Sequence, residues 1–439
     1  MNNLNNYLSS VRDQYEELPY PARNPEDEKT RLVTTWLDDL PMINHYCFAG
    51  KQDFEGGFRA LVAGGGTGDG TIYLAEQLRN SSAEIVHADM SEASIAIAKK
   101  RAEIRGLPNI KWVHASLLNL ETLGLGHFDY INCVGVLHHL ADPDAGLKAL
   151  RALLKPDGAM GIMVYGQYGR TGVYQMQTLL RVLNQDHEPS QIKIQRARDI
   201  MVTAPAANWF KRGQSLYVSD KANDAEIFDL LLHSQDRAYS VPQLYEWLVD
   251  NHGLHIHFTD TGRGGYVYMP RMVAGSKNLE YLDRADSLPL RKQHEVAEIL
   301  GGSIIGHTFY LTHEANTESP YGDPDYVPAF VHEPLSGPEL AKFVEGERNR
   351  KNPITVNHVH TGVTAEVVVG AFSKYILNNI DGHLSFGQIF QKIRSIDKFK
   401  KAPPTDEQLF DDFKGLYDLF RAIDRILLHH KSTTCPSGS

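Results

Sequence analysis

A glycine-rich loop between an apolar run and a helical pattern is the feature that most constrains this chain. Residues 60–63 are continuously apolar, which is typical of a strand buried on both faces of a parallel sheet. Residues 72–78 place apolar side chains at three-residue intervals, which indicates one face of a helix. The loop between the two patterns contains Gly64, Gly65, Gly66, Gly68 and Gly70. Such a loop can lay its backbone against a ligand beside the N-terminus of the helix, because glycine lacks a Cβ atom.

The spacing of these glycines separates three classes of ligand. A phosphate-binding P-loop needs a lysine after its last glycine, but Gly70 is followed by threonine and isoleucine. The dinucleotide fingerprint Gly-x-Gly-x-x-Gly fits no frame of the loop, which disfavours a nicotinamide-dependent oxidoreductase. The spacing that fits is Gly64-x-Gly66-x-Gly68.

Strand and helix patterns alternate from residue 58 to residue 165, which predicts right-handed crossovers and a parallel sheet with helices on both sides. A second strand pattern, 84–88, ends in Asp89, whose carboxylate could accept hydrogen bonds from a vicinal diol. A fourth strand pattern, 128–134, is followed by a pair of histidines, and a turn at 155–158 precedes a fifth strand.

Together these motifs resemble those of the class I S-adenosylmethionine (SAM)-dependent methyltransferases. The glycine loop is similar to motif I of that family, and residues 128–143 with 153–158 are similar to motifs IV and V of its type 11/12 branch. The segment is particularly similar to methyltransferase domains that are fused to tetratricopeptide repeats in bacteria. The resemblance implies an α/β fold with a Rossmann-like core and an inserted helical lid. It also implies SAM as the cofactor, S-adenosyl-L-homocysteine as the product, and catalysis that depends mainly on alignment of the reacting groups.

The resemblance also implies which residues contact the cofactor. They lie in the glycine loop and after the second, third and fourth strands: Gly64, Gly65, Gly66, Gly68, Asp89, Met90, Ser116, Leu117, Cys133 and Val134.

Candidate catalytic and substrate residues follow the fourth and fifth strands. The catalytic candidates are His138, His139 and Tyr168, and the substrate candidates are Tyr165, Arg170 and Tyr174. Aromatic rings there could contact a cation, and an arginine could bind a carboxylate. Each candidate has a structural alternative, namely histidines that orient the loop, rings that pack in a core or lid, and a solvated arginine.

The rest of the chain is divided by its Pro/Gly-rich segments and helical patterns. Three helical patterns near the C-terminus cover 365–378, 385–396 and 407–428, and form a mainly helical domain. The predicted organisation is an N-terminal cap (1–57), a SAM-binding domain (58–318) with a substrate-lid insertion (166–239), a linker (319–334), a C-terminal helical or winged-helix domain (335–431) and a disordered tail (432–439).

Composition excludes several functional classes. A net charge of -10 argues against a nucleic-acid partner. The sequence shows neither a secretory signal nor an apolar run long enough to span a membrane, and its three cysteines do not suggest a disulfide framework, so a cytoplasmic protein is expected. Its histidines form no complete ligand set with cysteines or carboxylates, so no metal site is predicted.

We therefore expect a SAM-dependent methyltransferase that acts on a small-molecule acceptor. The fourth-strand loop lacks the Asn/Asp-Pro-Pro-Tyr motif of the enzymes that methylate DNA amino groups and glutamine. Two alternatives stay open: a protein methyltransferase, and a non-catalytic regulatory protein that binds SAM or S-adenosylhomocysteine. The C-terminal domain is the candidate surface for a homodimer or a protein partner.

Overall fold

A computed structural model describes residues 9–219, 221–275, 278–332, 335–350, 352–358 and 363–433. The strands in these ranges are β1 Arg59–Ala63, β2 Glu84–Asp89, β3 Ile110–His114, β4 Phe128–Val134, β5 Leu154–Gly166, β6 Ala238–Tyr239, β7 His255–Thr259, β8 Gly306–Thr312, β9 Tyr326–Phe330, β10 Ile354–His358, β11 Val363–Val367 and β12 Ile426–His430. Residues 434–439 of the predicted disordered tail, 1–8 of the predicted cap and 333–334 of the predicted linker lie outside the described ranges.

The helices of the same ranges are mostly short. The α-helices are α1 Ser9–Glu17, α2 Leu40–Cys47, α3 Asp69–Gln77, α4 Glu92–Arg105, α5 Pro143–Leu153, α6 Thr171–Leu183, α7 Ser190–Thr203, α8 Trp209–Tyr217, α9 Asp224–Ile227, α10 Val241–Leu244, α11 Pro270–Val273, α12 Glu280–Asp286, α13 Leu290–Gly301, α14 Gly337–Arg350, α15 Ser373–Leu377, α16 Phe386–Arg394 and α17 Asp406–Ala422. Short 3-10 helices cover Pro25–Lys29, Trp36–Asp38, Leu117–Leu123, Leu137–His139, Gly265–Tyr268 and Asp397–Phe399, and π-helical turns cover Phe228–Leu232 and Tyr245–Asp250.

The chain divides into two compact units. The first contains Met1–Asp38, Phe54–Gly253 and Gly302–His313, and the second contains Asp39–Asp53, Leu254–Gly301 and Glu314–Ser439. The predicted SAM-binding domain included residues 254–301, which fall in the second unit here.

The first unit is built on a mostly parallel sheet. Its strand order is β3-β2-β1-β4-β5-β8, and β6 pairs with the end of β5. Strands β1 to β6 pair in parallel, whereas β8 runs antiparallel to β5. This arrangement confirms the predicted Rossmann-like α/β core. Because β1 lies between β2 and β4, the loops that follow these three strands meet at one edge of the sheet, where such folds bind their ligands.

One predicted turn belongs to a strand. Phe128 pairs with Leu154 and Tyr130 pairs with Ala159, so that the four residues 155–158 of β5 stand opposite a single residue of β4. They form an irregularity of the ladder, and the chain does not reverse there. The Lys-Pro-Asp-Gly sequence therefore marks a bulge instead of the turn that was predicted.

The predicted insertion between β5 and β6 is helical. Helices α6 to α9 bury their own apolar core, which contains Val173, Met176, Leu180, Ile194, Ala197, Met201, Phe210, Ile227 and Leu231. Helices α6 and α8 approach closely at Gly172, where a Cβ atom would lie 2.6 Å from the backbone of Phe210. The insertion is thus a packed helical layer with a core of its own, in agreement with the predicted helical lid.

The second unit combines helices with two antiparallel strand pairs. Strand β9 pairs with β12, and β10 pairs with β11. Helices α14 to α17 pack around an apolar core that includes Phe386, Phe390 and Phe413, as expected of a mainly helical C-terminal region.

Three stretches of this unit differ from the sequence predictions. The stretch predicted as a linker contains β9. The helical pattern predicted from residue 365 begins within β11, where buried and exposed side chains alternate with the two-residue period of a strand. The helix predicted to reach residue 428 ends at Ala422, because Asp424 has a φ of 50° and the buried run Ile426–His430 is extended.

None of the helices in the described ranges is both long enough and apolar enough to span a lipid bilayer.

Candidate active site

The glycine loop leaves β1 at the carboxyl edge of the sheet. Gly64, Gly66 and Gly68 have φ values of 74°, 51° and 100°, a region that side chains with a Cβ rarely adopt. The backbone N–H groups of Gly64 and Gly65 donate to the Ala88 carbonyl at 2.8 and 3.1 Å, which holds the loop against the end of β2. Helix α3 then begins at Asp69, so its N-terminus faces the same edge.

Asp89 organises this loop from the end of β2. Its Oδ2 accepts the Gly66 N–H at 2.7 Å, and its Oδ1 accepts the Ser91 N–H at 2.8 Å. Burial raises the pKa of the Asp89 carboxyl, and the backbone hydrogen bonds oppose that rise. Because a carboxylate offers about four lone-pair sites, Asp89 can still accept a hydrogen bond from a ligand.

The other predicted cofactor residues lie at the ends of β2, β3 and β4. Ser116 uses its hydroxyl to cap the 3-10 helix that Leu117 begins, and the N–H of Ala115 donates to the Asp89 carbonyl at 2.9 Å. Cys133 is fully buried, and burial raises the pKa of its thiol to about 12.

Two further members of this predicted set sit at strand ends. The carbonyl of Met90 lies 3.1 Å from the His114 ring, and the Val134 side chain is 39 % exposed.

The segment after α1 lies against the glycine loop. The Thr67 hydroxyl donates to the Pro21 carbonyl at 2.7 Å, and Arg23 forms a bidentate ion pair with Asp69 at the start of α3. A Cβ atom on Gly66 would lie 2.6 Å from the Tyr20 carbonyl oxygen. The N-terminal segment therefore covers the loop closely.

Side chains that follow β4 and β5 pack into a buried polar cluster with residues of the helical insertion. The ring centroids of His138 and Tyr165 are 3.8 Å apart, and the Arg170 guanidinium lies 3.5 Å from the Tyr165 centroid. His139 stacks on His233 at 3.8 Å with an interplanar angle of 20°. Four of the residues predicted for catalysis or substrate binding are thus brought together here.

Asp229 is the carboxylate of this polar cluster. It accepts hydrogen bonds from the hydroxyl of Tyr15 at 3.0 Å and from that of Tyr165 at 3.3 Å. Burial raises the pKa of Asp229, although the two hydrogen bonds and the positive charge of Arg170 lower it.

Sequence reasoning missed Tyr15, Asp229 and His233. They belong to α1, to the π-helical turn Phe228–Leu232 and to the residue after that turn, and no motif in these segments marks them.

The protonation states of the stacked histidines follow from burial. Burial lowers the pKa of His139 to about 4 and that of His233 to about 2, and it holds the pKa of His138 well below its usual value. All three rings are therefore neutral at pH 7. Nδ1 of His139 lies 2.9 Å from the Gln235 carbonyl, so we assign the ring proton to Nδ1 and a free lone pair to Nε2.

His139, Asp229 and His233 place ligand atoms within 4.8 Å of one another, a spacing that a metal ion could use. A metal-bound histidine donates its second ring N–H to an acceptor. His139 meets this condition, but Nδ1 of His233 accepts the Gln235 N–H at 3.1 Å, so the neutral ring carries its proton on Nε2. These three residues therefore do not suit a divalent cation. That the protein has no metal site stays a prediction.

Two further candidates differ in their surroundings. Tyr168 is 39 % exposed, whereas His138, His139, Tyr165 and Arg170 are each less than a tenth exposed. Tyr174 lies closer, with its ring centroid 5.9 Å from the Arg170 guanidinium. Arg170 itself is 4 % exposed, so the alternative of a solvated arginine is excluded.

The chain is similar to known proteins in both sequence and fold. Residues 61–160 match a family described as a methyltransferase domain. The chain is 31 % identical over 319 residues to an uncharacterized protein of Synechococcus sp., which covers 72 % of this chain and 74 % of the relative. It is 30 % identical over 147 residues to the ubiquinone biosynthesis O-methyltransferase of Acinetobacter baumannii, which covers 33 % of this chain. The chain spans about half (53 %) of that enzyme's length.

Among solved structures, the fold is similar to that of PKMT2 from Rickettsia typhi in complex with AdoHcy. The TM-score is 0.60 over 90 % of this chain and 76 % of that chain, at 17 % sequence identity. At 17 % sequence identity, this similarity is evidence for a shared fold alone.

Proposed function

Because this chain belongs to the class I SAM-dependent methyltransferases, we propose that it transfers the methyl group of SAM to a small-molecule acceptor by in-line displacement. The enzyme class and the cofactor follow from the family. The class of the acceptor is the proposal.

The burial of the polar cluster is the observation that carries this proposal. Asp229 and His233 come from the helical insertion and Tyr15 comes from α1, so elements outside the sheet cover the ends of β4 and β5. Asp229, His138 and His139 are each less than a tenth exposed. An enclosed site suits a ligand that is buried almost completely, as small substrates are, better than it suits a segment of folded protein.

The residues of the loop edge fit the cofactor. SAM supplies an electrophilic methyl group on a sulfonium centre. We propose that the loop Gly64–Gly68 lies along it and that the free lone pairs of Asp89 accept hydrogen bonds from its ribose hydroxyls. We assign smaller contributions to cofactor binding to the remaining predicted residues, which are Met90, Ser116, Leu117, Cys133 and Val134.

The polar cluster fits the acceptor. An acceptor that arrives as O–H or N–H must lose a proton during transfer, and Nε2 of His139 has the lone pair for it. The hydrogen bond from Nδ1 to the Gln235 carbonyl holds the ring in that tautomer. We assign His139 the role of proton acceptor, and we assign His138 and Tyr165 to contacts with the acceptor molecule.

Asp89→Asn tests the cofactor site. The substitution removes a charged acceptor, and such a hydrogen bond is worth about 1.5–3 kcal/mol, which is a rise of about 10- to 150-fold in Kd. Calorimetric titration with SAM measures it. Asp157→Asn is the matched control, because Asp157 is an exposed aspartate of the same unit, and its Kd should equal that of the wild type. Equal affinities of the two variants would contradict the assignment of Asp89.

Methyl-labelled SAM tests the acceptor class. A cell extract is incubated with the purified protein and methyl-labelled SAM. We expect the label to appear in small molecules of the ultrafiltrate other than SAM. Label that enters only the protein fraction would replace the proposal by a protein methyltransferase. SAM binding without transfer into either fraction would favour the non-catalytic regulatory protein.

A further inference from the structure

The Arg170 guanidinium is buried but incompletely hydrogen-bonded. The residue is 4 % exposed, and neither its Nε nor its Nη2 has a hydrogen-bond partner. The Tyr174 hydroxyl lies beside the guanidinium without a regular hydrogen bond to it. The buried Asp236 carboxylate compensates the charge, but at 3.6 Å from Nη2 it is too far for a hydrogen bond. Because buried N–H groups without a hydrogen-bonded acceptor are unfavourable, these two groups suit an acceptor that binds there.

The two unpartnered groups lie on one edge of the guanidinium. The N–H bonds of Nε and Nη2 point the same way and are spaced to meet two oxygens of one anion in a bidentate pair. The flat face of the group is occupied by the Tyr165 ring at 3.5 Å, which fixes the plane of the fork.

The neighbouring charge selects among anions. Oδ2 of Asp236 is 3.6 Å from Nη2, and the Asp236 side chain is 1 % exposed. This carboxylate is itself held by Gln177, whose Nε2 donates to Oδ2 at 2.9 Å. A phosphate with two negative charges would be repelled by Asp236 about twice as strongly as a carboxylate with one, so the fork favours the carboxylate.

The fork is also next to the groups assigned to methyl transfer. The Tyr165 ring that stacks on Arg170 lies 3.8 Å from His138 and 5.5 Å from His139, measured between ring centroids. An anion on Arg170 is therefore one aromatic ring away from the assigned proton acceptor.

We propose that the Nε–Nη2 edge of Arg170 binds a carboxylate of the methyl acceptor, so that the substrate is a small carboxylic acid. This inference rests on the proposed transfer to a small molecule. It adds the chemical class of the substrate and a specificity residue outside the glycine loop.

Chemical treatment of the extract tests the substrate class. The ultrafiltrate of a cell extract is divided into an untreated portion, a portion amidated with carbodiimide and ammonia, and a portion treated with phosphatase. Each is incubated with enzyme and methyl-labelled SAM. We expect amidation to abolish labelling and phosphatase to leave it unchanged.

The outcomes separate the two proposals. Labelling that survives amidation overturns the carboxylate inference and leaves methyl transfer to a small molecule intact. Labelling that is lost only with phosphatase identifies a phosphate ligand instead. An untreated portion without label overturns the proposed function, and the carboxylate inference falls with it.

Arg170→Lys tests the residue with the same extract. Lysine keeps the charge but loses the fork, so we expect KM for the extract acceptor to rise by about tenfold or more, while Kd for SAM stays unchanged. Arg212→Lys in α8 of the same helical insertion is the matched control, because Arg212 is exposed and should change neither constant. An unchanged KM in Arg170→Lys, or an equal loss of SAM affinity, would assign Arg170 a structural role only.

Discussion

At the scale of residues, a buried group of ion pairs lies beside the glycine loop. Arg101 is one of several basic residues in α4, but it is 1 % exposed and donates to Glu28 at 2.8 Å, to Asp69 at 2.6 Å and to the Thr67 carbonyl at 2.8 Å. Arg105 also pairs with Glu28. This group of charges ties the N-terminal segment to the helices that follow β1 and β2.

Glu28→Gln should destabilise the protein by about 3 kcal/mol, because it leaves two poorly exposed guanidinium groups without their shared counter-charge. Urea unfolding at pH 7 measures the change. Glu26→Gln is the control in the same 3-10 helix, since Glu26 pairs with Lys29 on the exposed side, and no measurable change is expected there. Equal midpoints for both variants would show that the buried pairs do not stabilise the fold.

At the scale of elements, the close approach of α6 and α8 determines how the helical insertion packs. A Cβ atom at position 172 would lie 2.6 Å from both N and Cα of Phe210, and those backbone atoms cannot move without shifting α8. Glycine is therefore required at this crossing by packing, and not by its backbone conformation.

Gly172→Ala should destabilise the first unit by about 1–3 kcal/mol through overpacking. Tryptophan fluorescence, which includes that of Trp209 at the start of α8, reports unfolding of the first unit. Gly213→Ala is the control within α8. A Cβ there meets only the end of the Tyr217 side chain, and alanine gains up to about 1 kcal/mol of helix propensity. A loss in Gly213→Ala as large as in Gly172→Ala would contradict the packing argument.

At the scale of the whole molecule, buried histidines make stability depend on pH. Burial lowers the pKa of His87 to about 3 and those of His257 and His294 to about 4, so both units contain neutral rings that an unfolded chain would protonate below pH 6.5. For each such ring the unfolded state binds the extra proton first. The contribution of each neutral ring to the free energy of unfolding is therefore complete above pH 6.5, and it is lost as the pH falls toward the pKa of the folded state.

His87→Gln measures how much one of these buried histidines contributes to the pH dependence of stability. His87 is fully buried, and the Thr71 hydroxyl lies 2.8 Å from its Nδ1, a contact that glutamine can keep. Between pH 6 and pH 4 the unfolding free energy of the wild type should fall by about 1.4 kcal/mol per pH unit more steeply than that of the variant. Tryptophan fluorescence measures it, because all four tryptophans lie in the first unit. Parallel pH profiles would mean that His87 keeps its ordinary pKa.

Much of the fold could be predicted from local pattern. The strands β1 to β5 and the helices between them were predicted because apolar runs, helical periodicity and glycine spacing are properties of short segments. The errors in the second unit have one cause. Residues 363–367 and 426–430 are segments of five residues whose state is decided by pairing with β10 and β9.

The sequence by itself determined the glycine loop, the strand ends around it and the family, because these features are encoded within a few residues. Only the tertiary structure decided the composition of the polar cluster. Tyr15 and Asp229 are 214 residues apart, and Asp229 and Tyr165 are 64 apart, so no spacing rule could pair them. Burial, which is a property of the whole packed unit, made Arg170 a buried cation with two N–H groups that lack a hydrogen-bond partner, instead of a solvated arginine.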